Sequence, residues 1–164
     1  MTTAKDHIEQ TPLGDGVRLC ASCIPLGRCR LGLRGEGLDD QGVAHFYLEC
    51  DAGHEGGPGV AHGGWTASVL DEMLGSVALL HKRLTVTKSL TVEFLRPVPI
   101  NQPLRGRSWN DRIEGHRWHN VGEITLAATG ALLGRATGVF SERDPTHFQR
   151  HQDWLATQIG KPAG

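Results

Sequence analysis

Aromatic side chains are scarce in this sequence: one Tyr, four Phe and four Trp make up 5% of its 164 residues. Methionine is scarcer still, at two. Apolar content is 38%, low-normal for a globular chain but sufficient for one domain of this length. No apolar run approaches the roughly 18–20 residues of a membrane span. Neither charge sign is in excess: 17 Lys and Arg face 18 Asp and Glu, a net charge of −1. That removes the electrostatic reason to expect nucleic acid or an acidic membrane surface as a partner. The opening residues, Met1 to Gln10, are polar and lack the apolar segment of a signal peptide, so a cytoplasmic location is expected. There is no internal repeat. No Gly-Lys-Ser/Thr follows the glycines, and no G-x-S-x-G occurs, which excludes a phosphate loop and a serine nucleophile elbow.

Cysteine is limited to Cys20, Cys23, Cys29 and Cys50. Without an export signal, disulfides are not expected. Cys20-x-x-Cys23 followed by Cys29 has part of a zinc spacing, with Cys50 available as a fourth ligand. A second C-x-x-C pair is missing, and Cys29 and Cys50 fall on expected strands. Ordinary reduced thiols are the simpler expectation, and a zinc-stabilised interaction module is the alternative.

Glycine is what the chain has in plenty, at 22 residues. The run Gly56-Gly57-Pro58-Gly59-Val60-Ala61-His62-Gly63-Gly64 leads into a helical pattern from Trp65 to about Arg83. Trp65, Val69, Leu70, Met73, Leu74, Val77 and Leu80 recur at mostly three- and four-residue spacing, an apolar helical face. The first N–H groups of a helix have no intrahelical partner, and the dipole places partial positive charge there. Glycine lets a ligand approach that backbone closely. The pattern suits a phosphate, a carboxylate or a developing oxyanion. Asp71, two turns on, is the first carboxylate after that opening. Glu72 beside it points about 100° away around the helix and is read as a surface or interface residue.

Strands are expected on both sides of the helix. Arg28 to Arg34 alternates through Cys29, Leu31 and Leu33. Gly35 to Gln41 reads as a turn, and Val43 to Cys50 as the second arm of a hairpin. After the helix, Leu84 to Leu95 is the clearest strand. Val86, Leu90, Val92 and Phe94 are expected on one face, interrupted by Lys88, with Thr85, Thr87, Ser89, Thr91 and Glu93 on the other. Arg96-Pro97-Val98-Pro99 ends it. Strands over Leu104 to Ile113, Arg117 to Ala127 and Ala131 to Phe140 follow, joined by short turns that favour antiparallel neighbours. Phe148 to Ile159 forms a short terminal helix. The class is α+β. A single helix covers only one face of so many strands, so the sheet either curls around it or meets another subunit.

Gly57-Pro58-Gly59-x-x-His62-Gly63-Gly64, Asp71 nine positions after the histidine, and Thr91-Val92-Glu93-Phe94-Leu95-Arg96-Pro97-Val98-Pro99 resemble the hotdog-fold thioesterase superfamily, in its PaaI-like (phenylacetyl-CoA thioesterase type) branch. The likeness covers about Gly42 to Ser141. It implies an antiparallel sheet wrapped around one long central helix. One hotdog domain over 1–164 is expected, with a loose lead-in over 1–15 and a tail over 142–164.

The resemblance implies hydrolysis of an acyl-CoA thioester. The Gly63 N–H would polarise the carbonyl. His62 would hold the loop, and Asp71, contributed across a dimer interface, would act as general base or nucleophile. Thr87 matches a position that helps place the water. Gly64 and Trp65 would line the substrate site, and Arg96 and Arg117 would meet coenzyme A phosphates. No metal or redox cofactor is implied, and coenzyme A enters as part of the substrate. A homodimer or a dimer of dimers is implied, with no nucleic-acid or membrane partner. One departure stands out: some members carry Asn six residues before the histidine, where this chain has Gly56, with His54 and Glu55 just before it. A two-His-one-carboxylate metal site from His54, His62 and Asp71 lacks a recognised spacing. His116, His119, His147 and His151 are expected at the surface. A non-catalytic acyl-CoA-binding domain is the other alternative.

Overall fold

The apolar stripe that starts at Trp65 is buried along most of an 18-residue helix, α1 (Gly63–Leu80), in the computed structural model, which describes residues 17–160. Its buried side chains include Trp65, Val69, Leu70, Met73, Leu74 and Val77. The helix ends at Leu80, the last residue of the apolar period, rather than at about Arg83. Lys82 takes a left-handed conformation, φ 61°. The Arg83 N–H then bonds the Ala78 carbonyl and the Lys82 N–H bonds Leu79, a Schellman ending that satisfies otherwise orphaned carbonyls.

A six-stranded antiparallel sheet packs on that helix. Its strands are β1 (Leu33–Leu38), β2 (Ala44–Leu48), β3 (Thr85–Phe94), β4 (Leu104–Glu114), β5 (Arg117–Leu126) and β6 (Leu132–Glu142), in the order β1-β2-β4-β5-β6-β3. The five strands β2 to β6 and β1 all touch α1, so the sheet curls around it, as the resemblance implies. The curl needs close approach. A Cβ on Gly106 of β4 would collide with the Met73 thioether, and one on Gly122 of β5 with Leu74. Two buried polar side chains fasten the same turn of the helix: Ser108 Oγ donates to the Met73 carbonyl at 2.7 Å and Asn120 Nδ2 to that of Leu74 at 2.9 Å.

Three expectations need correction. The first strand is displaced. Gly32 is left-handed (φ 74°) and pressed against the Glu49 carbonyl, so the alternation through Cys29 and Leu31 belongs to no strand. The strand instead runs through Gly35 and Gly37 to Leu38, and the turn sits at Asp39–Gly42, where Asp39 Oδ1 accepts from the Gln41 and Val43 N–H groups. Residues 21–26 form a short 3-10 helix, and Cys50 lies just beyond β2. Second, β3 and β4 are consecutive but not neighbours: β3 pairs with β6, and β4 lies between β2 and β5. Third, β3 does not alternate regularly. Its register shifts between Thr87 and Ser89, leaving Lys88 as a bulge.

The tail carries α2 (His147–Ile159), with no buried residue. The expected lead-in over 1–15 lies outside the described residues. Among those described, no helix is long and apolar enough to cross a membrane.

Candidate active site

The loop before α1 is a small self-supporting turn. The Gly56 N–H bonds the Val60 carbonyl at 2.8 Å, and the Gly59 N–H bonds Glu55 Oε1 at 2.6 Å. The His62 N–H reaches the His54 carbonyl at 2.7 Å. The segment linking β3 to β4 braces it from outside: the Val98 carbonyl accepts the Ala61 N–H at 2.8 Å. Gly56 is packed on this loop, since a Cβ there would sit 2.9 Å from His62 Cα. A side chain at that position would need the loop to move. Glu55 and the His54 carbonyl are both committed to holding the turn.

His62 caps the helix. Its Nδ1 accepts the Gly64 N–H at 2.8 Å, and its carbonyl accepts the Trp65 and Thr66 N–H groups. The capping ring also explains the second glycine, because a Cβ on Gly64 would lie 2.9 Å from Nδ1. With those donors used, the Gly63 N–H is the first-turn donor left without a protein partner among the described residues. It is exposed, and the Phe94 ring at the end of β3 packs beside it.

Asp71 projects from the same helix toward the start of β3, where Thr87 Oγ1 donates to its Oδ1 at 2.7 Å. The bulge at Lys88 makes this contact. Thr87 pairs with Phe140, whose side chain is buried against the helix, while Ser89 pairs with Val139. Thr87 therefore shares the helix-facing side with Leu90 and Val92, not the outer polar side that unbroken alternation predicts. Burial pushes the Asp71 carboxyl above the ordinary carboxylate range; the Thr87 hydrogen bond opposes that rise and neighbouring Glu72 adds to it. Beside the pair is a cavity of about 130 Å³, whose lining includes Leu19, Gly75, Leu79 and Phe140.

A half-buried carboxylate, a hydroxyl hydrogen-bonded to it and a free N–H at a helix N-terminus are the parts of an acyl-transfer site. Residues 58–128 match the family model described as thioesterase superfamily. That match spans α1 and the strands β3, β4 and β5. The acyl-coenzyme A thioesterase THEM4 of Bos taurus is 32% identical over 91 residues, which cover 56% of this chain and 37% of the bovine protein. The match thus spans well under half of that relative. Two solved structures share the hotdog fold. The E. coli PaaI protein from the phenylacetic acid degradation operon has a TM-score of 0.63 at 19% identity, over 73% of this chain and 87% of its own. A hypothetical thioesterase protein from Streptococcus pneumoniae, solved with coenzyme A, has a TM-score of 0.62 at 18% identity, over 67% and 87%.

The other sequence-predicted site residues are dispersed. Trp65 is a core residue, 3% exposed, with its indole N–H bonded to the Leu31 carbonyl at 3.0 Å. Its apolar face won the competition for burial, and it lines no part of the cavity beside Asp71. Gly64 is consumed by the cap. Arg96 follows β3 at the Gly63 end and donates to the Leu132 carbonyl, whereas Arg117 opens β5 at the Thr87 end, so the two do not converge within one chain. Cys20 is exposed, Cys29 half-buried, and Cys23 and Cys50 buried, all as free thiols. Partial burial pushes the Cys20 thiol up to about 11, with Glu72, Cys23 and Cys29 adding to the rise. Among the described residues no group of three or more His, Cys, Asp or Glu is placed to hold a metal ion. Phe94, beside the Gly63 N–H, and Gly75 and Phe140, at the cavity beside Asp71 and Thr87, were not among the sequence-predicted site residues. The one available signal was Gly75, the lone glycine inside the helical pattern, four residues after Asp71.

Proposed function

We propose that this chain hydrolyses an acyl-CoA thioester, with Asp71 of one subunit and the Gly63 N–H of a second forming one composite site. The observation that carries the reading is the separation of those two groups. They are eight residues apart on one helix, about 12 Å along its axis. A reacting carbonyl needs its activating carboxylate and its oxyanion donor each within roughly 3 Å, directly or through one water. A single chain cannot supply both.

Strand β3 offers the way to supply them. It is a ten-residue edge strand with its outer ladder unpaired in the sheet order. Long edges of this kind are templates for pairing. Thr87 and Phe94 lie toward opposite ends of it. Antiparallel pairing of two copies about the middle of β3 sets the Thr87–Asp71 end of one against the Phe94–Gly63 end of the other.

In that site a water held by Thr87 and Asp71 attacks the thioester carbonyl, and Asp71 accepts its proton. The Gly63 N–H and the helix dipole hold the resulting oxyanion. Collapse expels the coenzyme A thiolate, which takes up the proton, leaving the free acid. Every role is filled by protein groups, so the reaction calls for no metal or redox cofactor. Arg96 and Arg117 are exposed and available to coenzyme A phosphates. A homodimer is the minimal active unit, and a cytoplasmic location accords with this reading.

The test is free-thiol release from acetyl-, hexanoyl-, phenylacetyl- and palmitoyl-CoA by wild type and by Asp71→Asn. Saturable turnover that drops about a hundredfold or more in the variant is expected, within the roughly 10²–10⁴ that an activating group supplies. Absence of turnover with every thioester would leave a binding domain instead.

A further inference from the structure

We propose that Gly75 is a specificity-determining residue, which keeps open a compact acyl pocket suited to a single ring or a chain of about six carbons. The inference rests on the hydrolase reading above and names the acyl class it serves.

Glycine inside a helix is unfavourable, because it gives up more backbone freedom than any other residue. It persists for one of three reasons: an unusual backbone conformation, a neighbour too close for a Cβ, or space that is used. The first does not apply, since Gly75 is not among the glycines at positive φ. The second does not apply either. A Cβ at Gly75 would meet the Phe140 ring edge at 3.4 Å, an ordinary contact, with nothing closer. By contrast, Gly106 and Gly122 are forced by direct collision with Met73 and Leu74. The space remains. Gly75 lies one turn beyond Asp71 on the same helical face and lines the cavity that holds Asp71 and Thr87.

Most of the cavity's remaining lining surface is apolar, from Leu79 on the next turn, Leu84, Phe140 of β6 and Leu19 before the 3-10 helix, with Glu72, Ser76 and Thr85 as further polar members. Asp71 and Thr87 at the polar side of this mainly apolar recess place the carbonyl there and the acyl group along Gly75, Leu79 and Phe140. Its volume is about 130 Å³. An apolar cavity of about 150 Å³ accepts one benzene molecule. The recess therefore holds a ring or a chain of about six carbons, and the remainder of a long fatty chain would lie outside it.

The experiment compares wild type with Gly75→Ala on the same four thioesters and follows thermal melting of both. The added methyl occupies the recess and raises the melting temperature. The expected result is that wild type prefers hexanoyl- or phenylacetyl-CoA over palmitoyl-CoA. The ratio of kcat/KM for phenylacetyl-CoA to that for acetyl-CoA falls at least tenfold in the variant, within the roughly 10–200-fold that one methyl-sized change makes in an apolar pocket. An unchanged ratio in a variant that melts as high as wild type overturns the role of Gly75 and leaves the hydrolase standing. Preference of wild type for palmitoyl-CoA overturns the compact acyl class. Absence of turnover by wild type overturns this inference together with the hydrolase reading.

Discussion

Thr87 reaches Asp71 at 2.7 Å only because β3 carries one extra residue between Thr87 and Ser89. From Leu90, which faces the helix, regular alternation would turn Lys88 inward and Thr87 outward. The bulge expels Lys88 to solvent and turns the hydroxyl onto the carboxylate. A local irregularity in an edge strand thus builds half of the proposed site.

Removing that hydroxyl moves the pH dependence in a defined direction. The Thr87 hydrogen bond favours the ionised carboxylate and so lowers the Asp71 pKa. In Thr87→Val the acid limb of the kcat/KM profile shifts to higher pH than in wild type. At neutral pH kcat/KM falls about 10–100-fold, the worth of a hydrogen bond to a charged group. A pH–rate series on both proteins checks this, and an acid limb that moves downward would sink it.

Asp71 also leaves a mark on stability. Burial raises its folded-state pKa above the unfolded value, so folding favours the protonated form. The stabilisation is complete below the unfolded pKa and is lost as pH rises through the folded one. Asp71→Asn, which stays neutral, is expected to melt higher than wild type at pH 7. The gap should close on acidification through the raised Asp71 pKa. Melting curves across that range decide it.

Gly63 can be tested at its backbone. It is the first residue of α1, a position where proline is tolerated because the N–H lacks an intrahelical partner. His62 before it is already extended, at φ −59° and ψ 137°, as a residue preceding proline prefers. Gly63→Pro is expected to fold while losing about 10²–10³ in kcat, the cost of one oxyanion donor. Gly63→Ala retains the N–H and meets Phe94 only at ordinary contact distance, 3.5 Å, so its loss should be much smaller.

The composite site makes a prediction that a site within one chain does not. Asp71→Asn and Gly63→Pro are each expected to be nearly inactive. Unfolded together and refolded as a mixture, they form mixed dimers in which one site has both an intact Asp71 and an intact Gly63. Random pairing restores about a quarter of wild-type activity, because half of the dimers are mixed and half of their sites are whole. Activity that stays at the level of the separate variants would place the two groups in unconnected sites.

Much of this was legible in the residues. The glycine run, His62 as its last polar side chain and the apolar stripe after it placed the helix and its bare end, because capping and periodicity act over a few neighbours. The four later strands read through as elements from their apolar content and the turn residues between them, while the alternation of β3 and its place in the sheet did not. The first strand did not. Its glycines at 35 and 37 have poor strand propensity, and β2 holds them in the sheet by pairing across the Asp39–Gly42 turn. The core anchoring of Trp65 was not legible either: its indole is held there by the Leu31 carbonyl, a partner 34 residues away in the chain.

The sequence by itself determined the elements and one exposed helix N-terminus, since local propensity and hydrophobic period set those. The register of β3, the capture of Asp71 by Thr87 and the space left beside Gly75 were decided by the tertiary structure. The physical reason is that strand pairing and packing join residues distant in the chain. A bulge at Lys88 shows no local signature, and appears only when β6 supplies the ladder against which one residue is left over.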